Sequence, residues 1–308
     1  MTGPGPWSAD RSLDTAQVAR ALAEALPDLD LGAVRPLGSG WDFDAYEAAG
    51  YVFRFPRRAT EQARLAKELA LLPWLAQQVE LPHPRYAWGA LHAAAFPYTF
   101  AGYAKLEGVH ASALDPRTVD LPRLGRALGA QMQTLHAAQP PEPLRATLTE
   151  AYEAVTARAA RDGKARYIAA FCAHVQPALA QRAARFQDDD TLLVPDVDET
   201  PVLLHDDLHV EHLLLDPDDA ARVVGWLDWG DACLGDPARE FAALFPWGGD
   251  VLLDAMLTGY GRRDADFRAR ARFHGICLAF VDWHHWQRVG NPAGLAWTTR
   301  VLDEVLPP

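Results

Sequence analysis

The stretch Val202–Asp236, VLLHDDLHVEHLLLDPDDAARVVGWLDWGDACLGD, alternates short apolar runs with clusters of aspartate and histidine. The apolar runs, rich in strand-forming residues, are 202–204, 213–215 and 223–227. The turn sequence DPDD at 216–219 separates the last two runs and predicts a β-hairpin. Such a hairpin would bring His212, just before its first strand, beside Asp228, just after its second strand.

Asp207 lies on the loop that precedes this hairpin. A loop carboxylate beside a pair of metal ligands is what phosphoryl transfer requires, because one group orients the acceptor hydroxyl while the others hold magnesium on the nucleotide phosphates. Magnesium prefers oxygen donors, so Asp228 is the surer ligand. For His212 we keep direct binding, binding through a water and a preference for manganese as alternatives.

The pattern His205-x-Asp207-x-x-x-x-His212, followed by Asp228, resembles the motifs of the aminoglycoside phosphotransferase and choline kinase superfamily. Most members of that superfamily have asparagine at the position of His212. The macrolide phosphotransferases have histidine there, so the chain is closest to them in motif. Asp206 is a second departure, because it occupies the place of the usual glycine and puts an extra carboxylate beside Asp207.

The resemblance implies an α+β, protein-kinase-like fold with two lobes. Residues 1–105 would form a nucleotide-binding N-lobe, made of a small antiparallel β-sheet and one helix. Residues 106–308 would form a larger, mainly helical C-lobe that carries the catalytic loop, the metal site and the acceptor-binding helices. The connection would fall near Tyr103 and Leu106, which are therefore expected at the nucleotide.

The hydrophobic pattern predicts the individual elements. An opening helix is expected over Ala16–Leu26, and a second helix over Thr60–Gln78, capped by Thr60 and kinked or restarted at Pro73. Beyond Gly108 the pattern is mainly helical, with one long helical region predicted from about Leu148 to Phe186.

The resemblance assigns roles to residues of the C-terminal part. Asp207 would orient or deprotonate the acceptor hydroxyl, and His205 would anchor the loop through a backbone hydrogen bond. Asp236 followed by Pro237 is a helix-start signal, and the resemblance places Asp236 under the loop as a brace. Candidate acceptor contacts, for which core packing or a surface turn is an alternative, are Asp231, Glu240, Asp282 and Trp283.

The N-terminal part contains candidate nucleotide-binding residues. Gly38-Ser39-Gly40 precedes a predicted strand and would let backbone N–H groups approach phosphate oxygens, although a plain turn explains such a pattern equally. Arg54 projects from the strand VFRFP, and Glu68 on the next helix is its expected partner in steadying the phosphates. Arg57 and Arg58 are exposed alternatives for the phosphate-binding cation.

Composition limits the classes of partner. The chain has 308 residues and a formal net charge of −12, which argues against nucleic acid and anionic membranes and is compatible with a cationic substrate. Three dispersed cysteines suggest neither a disulfide framework nor a zinc site and fit a reducing cytoplasm. The opening residues MTGPGPWSAD lack a secretion signal pattern, so we expect a cytoplasmic protein.

The sequence therefore predicts a small-molecule kinase that uses Mg²⁺ and ATP or GTP to phosphorylate a hydroxyl group. An antibiotic (macrolide or aminoglycoside) and an endogenous metabolite both stay open as acceptor, and the oligomeric state is not indicated. One alternative is a metal-dependent hydrolase that uses the HDDLHVEH cluster to hold zinc and activate water. Another is a kinase-like module that binds nucleotide without catalysis.

Overall fold

The computed structural model describes residues 9–11, 13–150, 156–197, 199–262 and 264–308. The chain divides into two compact units, Met1–Leu106 and Glu107–Pro308. None of the described helices combines the length and apolar character that a membrane crossing requires.

The first unit is built on a five-stranded antiparallel sheet with strand order β1-β2-β3-β5-β4. The strands are β1 (Arg35–Ser39), β2 (Phe43–Ala48), β3 (Tyr51–Pro56), β4 (Tyr86–Ala93) and β5 (Phe96–Ala104). Two helices accompany the sheet, α1 (Thr15–Ala25) and α2 (Glu61–Gln78). Strand β3 is therefore the central strand and is buried along most of its length.

Alternation along β3 separates its two faces. Phe53 and Phe55 belong to an aromatic core that also contains Val18 and Leu22 of α1. Arg54, between them in sequence, points to the opposite face, as the two-residue period of a strand requires. The sheet is thus covered on one side by α1, and its other side receives a single buried guanidinium.

Helix α2 departs from prediction at two residues. It runs through Pro73 as one helix, so the predicted restart at this residue is wrong. Thr60 precedes the helix, but its side chain makes no capping hydrogen bond and donates to Glu61 Oε1 at 2.8 Å instead. The first amide groups of the helix bind backbone carbonyls of the preceding turn instead, Glu61 N–H to Arg58 and Gln62 N–H to Ala59, each at 3.2 Å.

The second unit is mainly helical. Its helices are α3 (Leu121–Ala137), α4 (Leu144–Glu150), α5 (Ala157–Asp162), α6 (Ala165–Cys172), α7 (Pro177–Asp188), α8 (Phe245–Tyr260), α9 (Ala265–Val289) and α10 (Pro292–Val305). The region predicted as one helical stretch is divided, because Gly163 and Pro177 mark boundaries between short helices. Residues 151–155 of that stretch lie outside the described residues.

Short strands support the loop that the sequence singles out. They are β6 (Val109–His110), β7 (Val202–Leu204), β8 (Leu213–Leu215), β9 (Val223–Trp226) and β10 (Cys233–Gly235). Strands β8 and β9 pair antiparallel, which confirms the predicted hairpin, and β7 pairs with β10. Instead of a helix, a 3₁₀ turn over Pro237–Phe241 follows Asp236.

Helices α3 and α8 pack through glycine. A Cβ atom at Gly129 would overlap the backbone carbonyl oxygen of Met256, and one at Gly259 would overlap that of Arg126. The two backbones therefore approach more closely than any other residue type allows. With an antiparallel sheet unit and a larger helical unit, the chain has the predicted α+β fold class.

Candidate functional site

Arg54 and Glu68 form a buried ion pair in the first unit. Arg54 Nη1 lies 2.5 Å from Glu68 Oε2, and the two residues are 5% and 0% exposed. The guanidinium also lies over the ring of Phe43, 4.1 Å from its centroid, and 3.4 Å from the hydroxyl of Tyr86. Neither residue is therefore a surface residue, and the expected partnership of Arg54 with Glu68 is present.

Gly38, Ser39 and Gly40 lie at the end of β1, where the chain turns toward β2. Neither glycine has the left-handed backbone that demands glycine, and a Cβ at Gly38 would meet open space. The surrounding fold thus leaves room for a side chain at Gly38. Because the residue is exposed, its backbone is accessible to a ligand.

Arg57 and Arg58 are engaged by the turn that follows β1. Arg57 Nη1 donates to Ser39 Oγ at 2.8 Å and to the carbonyl of Gly40. Arg58 is 8% exposed, and its Nη2 lies 2.7 Å from Glu61 Oε1. The expectation of exposure is therefore wrong for Arg58, which is buried, whereas Arg57 is partly exposed.

The residues expected at the nucleotide near the end of the first unit have different environments. Tyr103, on β5, is buried and packs edge-on against Tyr86 with centroids 5.5 Å apart. Leu106 is partly exposed and is the last residue of the first unit. The ring of Tyr103 is therefore packed, and its backbone is paired with Val52 of β3 and Tyr86 of β4, so its place at the nucleotide stays a prediction.

In the second unit, His205–His212 forms the connection between β7 and β8, here called the 205–212 loop. His205 is fully buried and makes the backbone hydrogen bond predicted for it, since Nε2 donates to the carbonyl of Leu227 at 2.9 Å. Its Nδ1 accepts from the N–H of Asp207 at 3.3 Å. Burial lowers the pKa of His205 to about 4, so a neutral imidazole ties the loop to the end of the hairpin.

His212 lies between the two aspartates of the predicted site. Its Nδ1 donates to the carbonyl of Asp207 at 2.8 Å, which leaves the lone pair on Nε2. That Nε2 lies 3.8 Å from Asp228 Oδ2. The hairpin fixes this approach, because the N–H of Leu227 donates to the carbonyl of His212 at 2.8 Å.

Asp207 faces the same group of side chains. Its Oδ2 lies 3.4 Å from His212 Nδ1, and 41% of its side chain is exposed. Desolvation raises the pKa of Asp207 to about 8, His212 opposes this shift, and the carboxylates Asp231 and Asp228 add to it. Water still reaches the carboxylate, so it remains open to an acceptor.

Asp228 and His212 fit a divalent cation. The Asp228 carboxylate supplies the oxygen that magnesium prefers, and His212 Nε2 supplies a nitrogen without having to lose a proton. His209 also lies within 4.8 Å of Asp207 and His212, as a zinc site would require. Its Nδ1, however, accepts from the N–H of Glu211 at 3.2 Å, so the neutral ring carries its proton on Nε2 and is a poorer ligand.

Two predicted acceptor contacts lie inside the second unit. Glu240 is 1% exposed, and its Oε2 accepts from the N–H of His205 at 2.7 Å. Trp283 is 5% exposed and donates through Nε1 to Thr299 Oγ1 at 3.0 Å. Burial removes Glu240 from contact with an acceptor, and its carboxylate instead holds the 205–212 loop. Trp283 lines a cavity together with His174 and Thr299, so its role as an acceptor contact stays a prediction.

Asp231 and Asp282 lie near Asp207. Asp231 ends the 3₁₀ turn Trp229–Asp231 that follows the hairpin. Asp282, on α9, has a pKa raised to about 8 by desolvation, with Asp207 and Glu211 adding to the shift. Asp207 therefore has further carboxyl groups around it, whose mutual repulsion favours the protonated form.

Asp236 caps the 3₁₀ turn that follows β10. Its Oδ1 accepts from the N–H of Ala238 at 2.9 Å, and its Oδ2 lies 3.4 Å from Nε of the buried Arg270. Asp236 therefore stabilises the start of the turn that carries Glu240.

Sequence reasoning did not find the contact between Glu211 and His285, whose Oε2 and Nε2 atoms lie 3.5 Å apart. The sequence held one indication of this contact, the run 282–286 (DWHHW) on α9, because two adjacent histidines on a helix lie on different faces. His284 accordingly packs on Tyr167, whereas His285 reaches the 205–212 loop. Which of the two faces the loop depends on how α9 packs and cannot be read from the pair itself.

Solved structures of antibiotic phosphotransferases are similar to this chain. The GDP complex of an aminoglycoside 2'-phosphotransferase-IIIa is 21% identical, with a TM-score of 0.67 over 95% of this chain and 98% of that one, a likeness that concerns the fold alone. A macrolide 2'-phosphotransferase type I is 25% identical, with a TM-score of 0.58 over 96% and 98%. The macrolide 2'-phosphotransferase of Brachybacterium faecium, as apoenzyme, is 25% identical, with a TM-score of 0.57 over 95% and 99%.

Among curated proteins no match is found. The family model described as "phosphotransferase enzyme family" matches residues 33–274, well over half of the chain. The match includes Arg54, Glu68 and the whole 205–212 loop. This match shows that the chain belongs to the phosphotransferase enzyme family.

Proposed function

We propose that this enzyme transfers the γ-phosphoryl group of ATP or GTP to a hydroxyl group of a small molecule that carries positive charge. The observation that carries the proposal is the arrangement of Asp207, His212 and Asp228, in which one histidine contacts both carboxylates. Phosphoryl transfer needs mainly placement and charge stabilisation, which such a group can supply.

Asp207 is the proposed catalytic residue. Its exposed carboxylate can accept a hydrogen bond from the acceptor hydroxyl and hold the oxygen in line with the γ-phosphorus. It can take up the hydroxyl proton as the new P–O bond forms and the bond from the γ-phosphorus to the β–γ bridging oxygen breaks, which releases ADP or GDP. Asp228 and His212 would hold a divalent cation, Mg²⁺ or Mn²⁺. When bound, this cation neutralises charge on the nucleotide phosphates.

The first unit is the proposed nucleotide-binding part. The buried Arg54–Glu68 pair supplies a fixed cation for the phosphates, and Gly38 supplies accessible backbone. Ser39 and Gly40 would contribute further N–H groups. GDP is bound in one similar structure and ADP in another, "aminoglycoside phosphotransferase APH(2'')-Ib", which supports both nucleotides as candidates.

An acidic surface supports a cationic acceptor. Asp231 and Asp282 lie near Asp207, and the chain as a whole carries a formal charge of −12. Aminoglycosides, and macrolides that carry an amino sugar, have this charge, and both classes are named in the similar structures. We therefore place an antibiotic first among acceptors, and a cytoplasmic location stays a prediction.

The test combines each nucleotide with a panel of hydroxyl compounds and detects the phosphorylated product by mass spectrometry. Aminoglycosides, macrolides, amino alcohols and neutral sugars form the panel. Phosphorylation of a cationic acceptor supports the proposal. Hydrolysis of a substrate without nucleotide, together with stoichiometric zinc in the purified protein, would instead favour the hydrolase.

Substitution of Asp207 tests its role directly. Asp207→Asn keeps the shape of the side chain but removes the charge, so we expect kcat to fall by about three orders of magnitude or more with nucleotide affinity nearly unchanged. Asp266→Asn, at an exposed position of α9, serves as the control and should have wild-type kinetics. A loss below tenfold in Asp207→Asn would remove this residue from the mechanism.

A further inference from the structure

Asp206 has a backbone conformation that is unusual for a residue with a side chain. Its φ angle is 63°, in the left-handed region that glycine adopts without steric cost. The residue lies between the buried anchor His205 and the proposed catalytic Asp207. Its conformation therefore determines the direction in which the chain leaves the anchor and presents Asp207.

Arg239 contacts Asp206 from the 3₁₀ turn Pro237–Phe241. Arg239 Nη2 lies 2.7 Å from Asp206 Oδ2, and the two side chains are 28% and 16% exposed. The next residue of the same turn, Glu240, accepts the N–H of His205 at 2.7 Å. One rigid turn thus holds two consecutive residues of the 205–212 loop, one by its backbone and the other by its side chain.

The Asp206 carboxylate lies among like charges. Desolvation raises the pKa of Asp206 to about 7, Arg239 opposes this shift, and Glu240 and Asp231 add to it. Without the guanidinium, a partly buried carboxylate next to Asp207 would lose its compensating cation and would have to take up a proton or move, and either change removes the contact between Asp206 and the turn that holds the loop.

We propose that Arg239 is a positioning residue, which holds Asp206 in its left-handed conformation and neutralises its charge so that Asp207 keeps its orientation toward the acceptor. At position 206 the ion pair stabilises the left-handed conformation that glycine would adopt without steric cost. This inference rests on the proposed function, because it assigns the consequence to the phosphoryl-transfer step.

The experiment is a double-mutant cycle with separate kcat and KM values. We expect Arg239→Gln to lower kcat at least tenfold, with KM for nucleotide and acceptor changed less than threefold. In Asp206→Gly neither the charge nor the steric cost remains, so adding Arg239→Gln to it should change kcat less than threefold. Arg117→Gln, which breaks the exposed pair with Asp115 in the same unit, is the matched control and should behave as wild type.

Three results would overturn the proposal. Arg239→Gln could impair the Asp206→Gly enzyme as strongly as the wild type, which would mean that Arg239 acts through another group. It could raise KM at constant kcat, which would make it a substrate contact. It could leave both parameters unchanged, in which case the ion pair has no influence on the loop.

Hydrogen exchange separates this proposal from the proposed function. If the wild type phosphorylates no acceptor, the proposed function fails, but peptides that cover the 205–212 loop still report on the ion pair. Faster amide exchange there in Arg239→Gln, and not in Arg117→Gln, supports the positioning role. Unchanged exchange in the loop overturns it.

Discussion

At the scale of single residues, hydrogen bonds to the backbone decide which atoms are available for chemistry. His205 and His212 both use one ring nitrogen to bind the backbone, at 2.9 Å and 2.8 Å respectively. Burial keeps His205 neutral, and its second nitrogen accepts a loop N–H. Only His212 therefore directs a nitrogen lone pair toward Asp228, which is why we assign the cation to these two residues.

Asp228→Asn tests the cation site. Asp228 has a φ of 59°, and asparagine tolerates this conformation better than alanine does, so the backbone should be preserved. We expect metal-dependent nucleotide binding, measured by calorimetry with and without Mg²⁺, to weaken at least a hundredfold. Asp266→Asn should bind as wild type, and normal binding of the metal–nucleotide complex by Asp228→Asn would contradict the assignment of the cation to this hairpin.

Gly38→Ala tests whether phosphates approach the backbone at this position. A Cβ at Gly38 meets open space, so the free energy of unfolding should not fall and can rise by about 0.5 kcal/mol. A phosphate against the backbone would meet the new methyl group, and we expect KM for the nucleotide to increase about tenfold. Gly89→Ala in β4, where the Cβ makes an ordinary contact, is the control. An unchanged KM in Gly38→Ala would indicate a plain turn.

At the scale of elements, close packing fixes the helices of the second unit. Helix α3 approaches α8 so closely at Gly129 that a Cβ atom would overlap the carbonyl oxygen of Met256. Helix α3 also supports the site, because Trp226 at the end of β9 donates through Nε1 to Gln131 Oε1 at 3.1 Å. The spacing of these helices thus positions the hairpin that carries Asp228.

In Gly129→Ala, helix propensity and packing are expected to change the free energy of unfolding in opposite directions. Propensity alone would stabilise α3 by about 1 kcal/mol, because alanine is the better helix former. The overlap with a backbone carbonyl, which cannot rotate away, should instead lower the free energy of unfolding by at least about 2 kcal/mol. Urea unfolding measures the difference, with Ala130→Gly at the exposed neighbouring position as the propensity reference. Stabilisation by Gly129→Ala would show that the helices can separate at little cost.

At the scale of the whole molecule, net charge affects how a charged acceptor arrives. The formal charge of −12 produces a negative potential around the chain, which we expect to attract a cationic acceptor. Screening by salt weakens this attraction over a distance of about 10 Å at 0.1 M ionic strength.

The salt dependence of KM tests this attraction. For a cationic acceptor, KM should rise severalfold between about 0.02 M and 0.3 M ionic strength, with kcat nearly constant, because screening affects encounter more than chemistry. A neutral hydroxyl acceptor of similar size, measured with the same enzyme, should change less than twofold. Equal dependence for both acceptors would mean that the acidic residues do not select for charge.

The sequence by itself determined the elements around the site and their order. The hairpin around DPDD and the strand bearing Arg54 follow from local patterns, since turn chemistry and side-chain period are properties of neighbouring residues. The ion pair of Arg54 with Glu68 was expected from the kinase pattern that the motifs resemble. The fold class followed from the motif spacing of a known superfamily.

Only the tertiary structure decided which carboxylates are exposed and which are buried. Asp207 keeps 41% of its side chain exposed, whereas Glu240 is 1% exposed and holds the loop from below. The pairing of Asp206 with Arg239, 33 residues away, was equally invisible in the pattern. Burial and such ion pairs depend on packing between segments that are distant in sequence. The type of a residue does not reveal which other residues will pack against it.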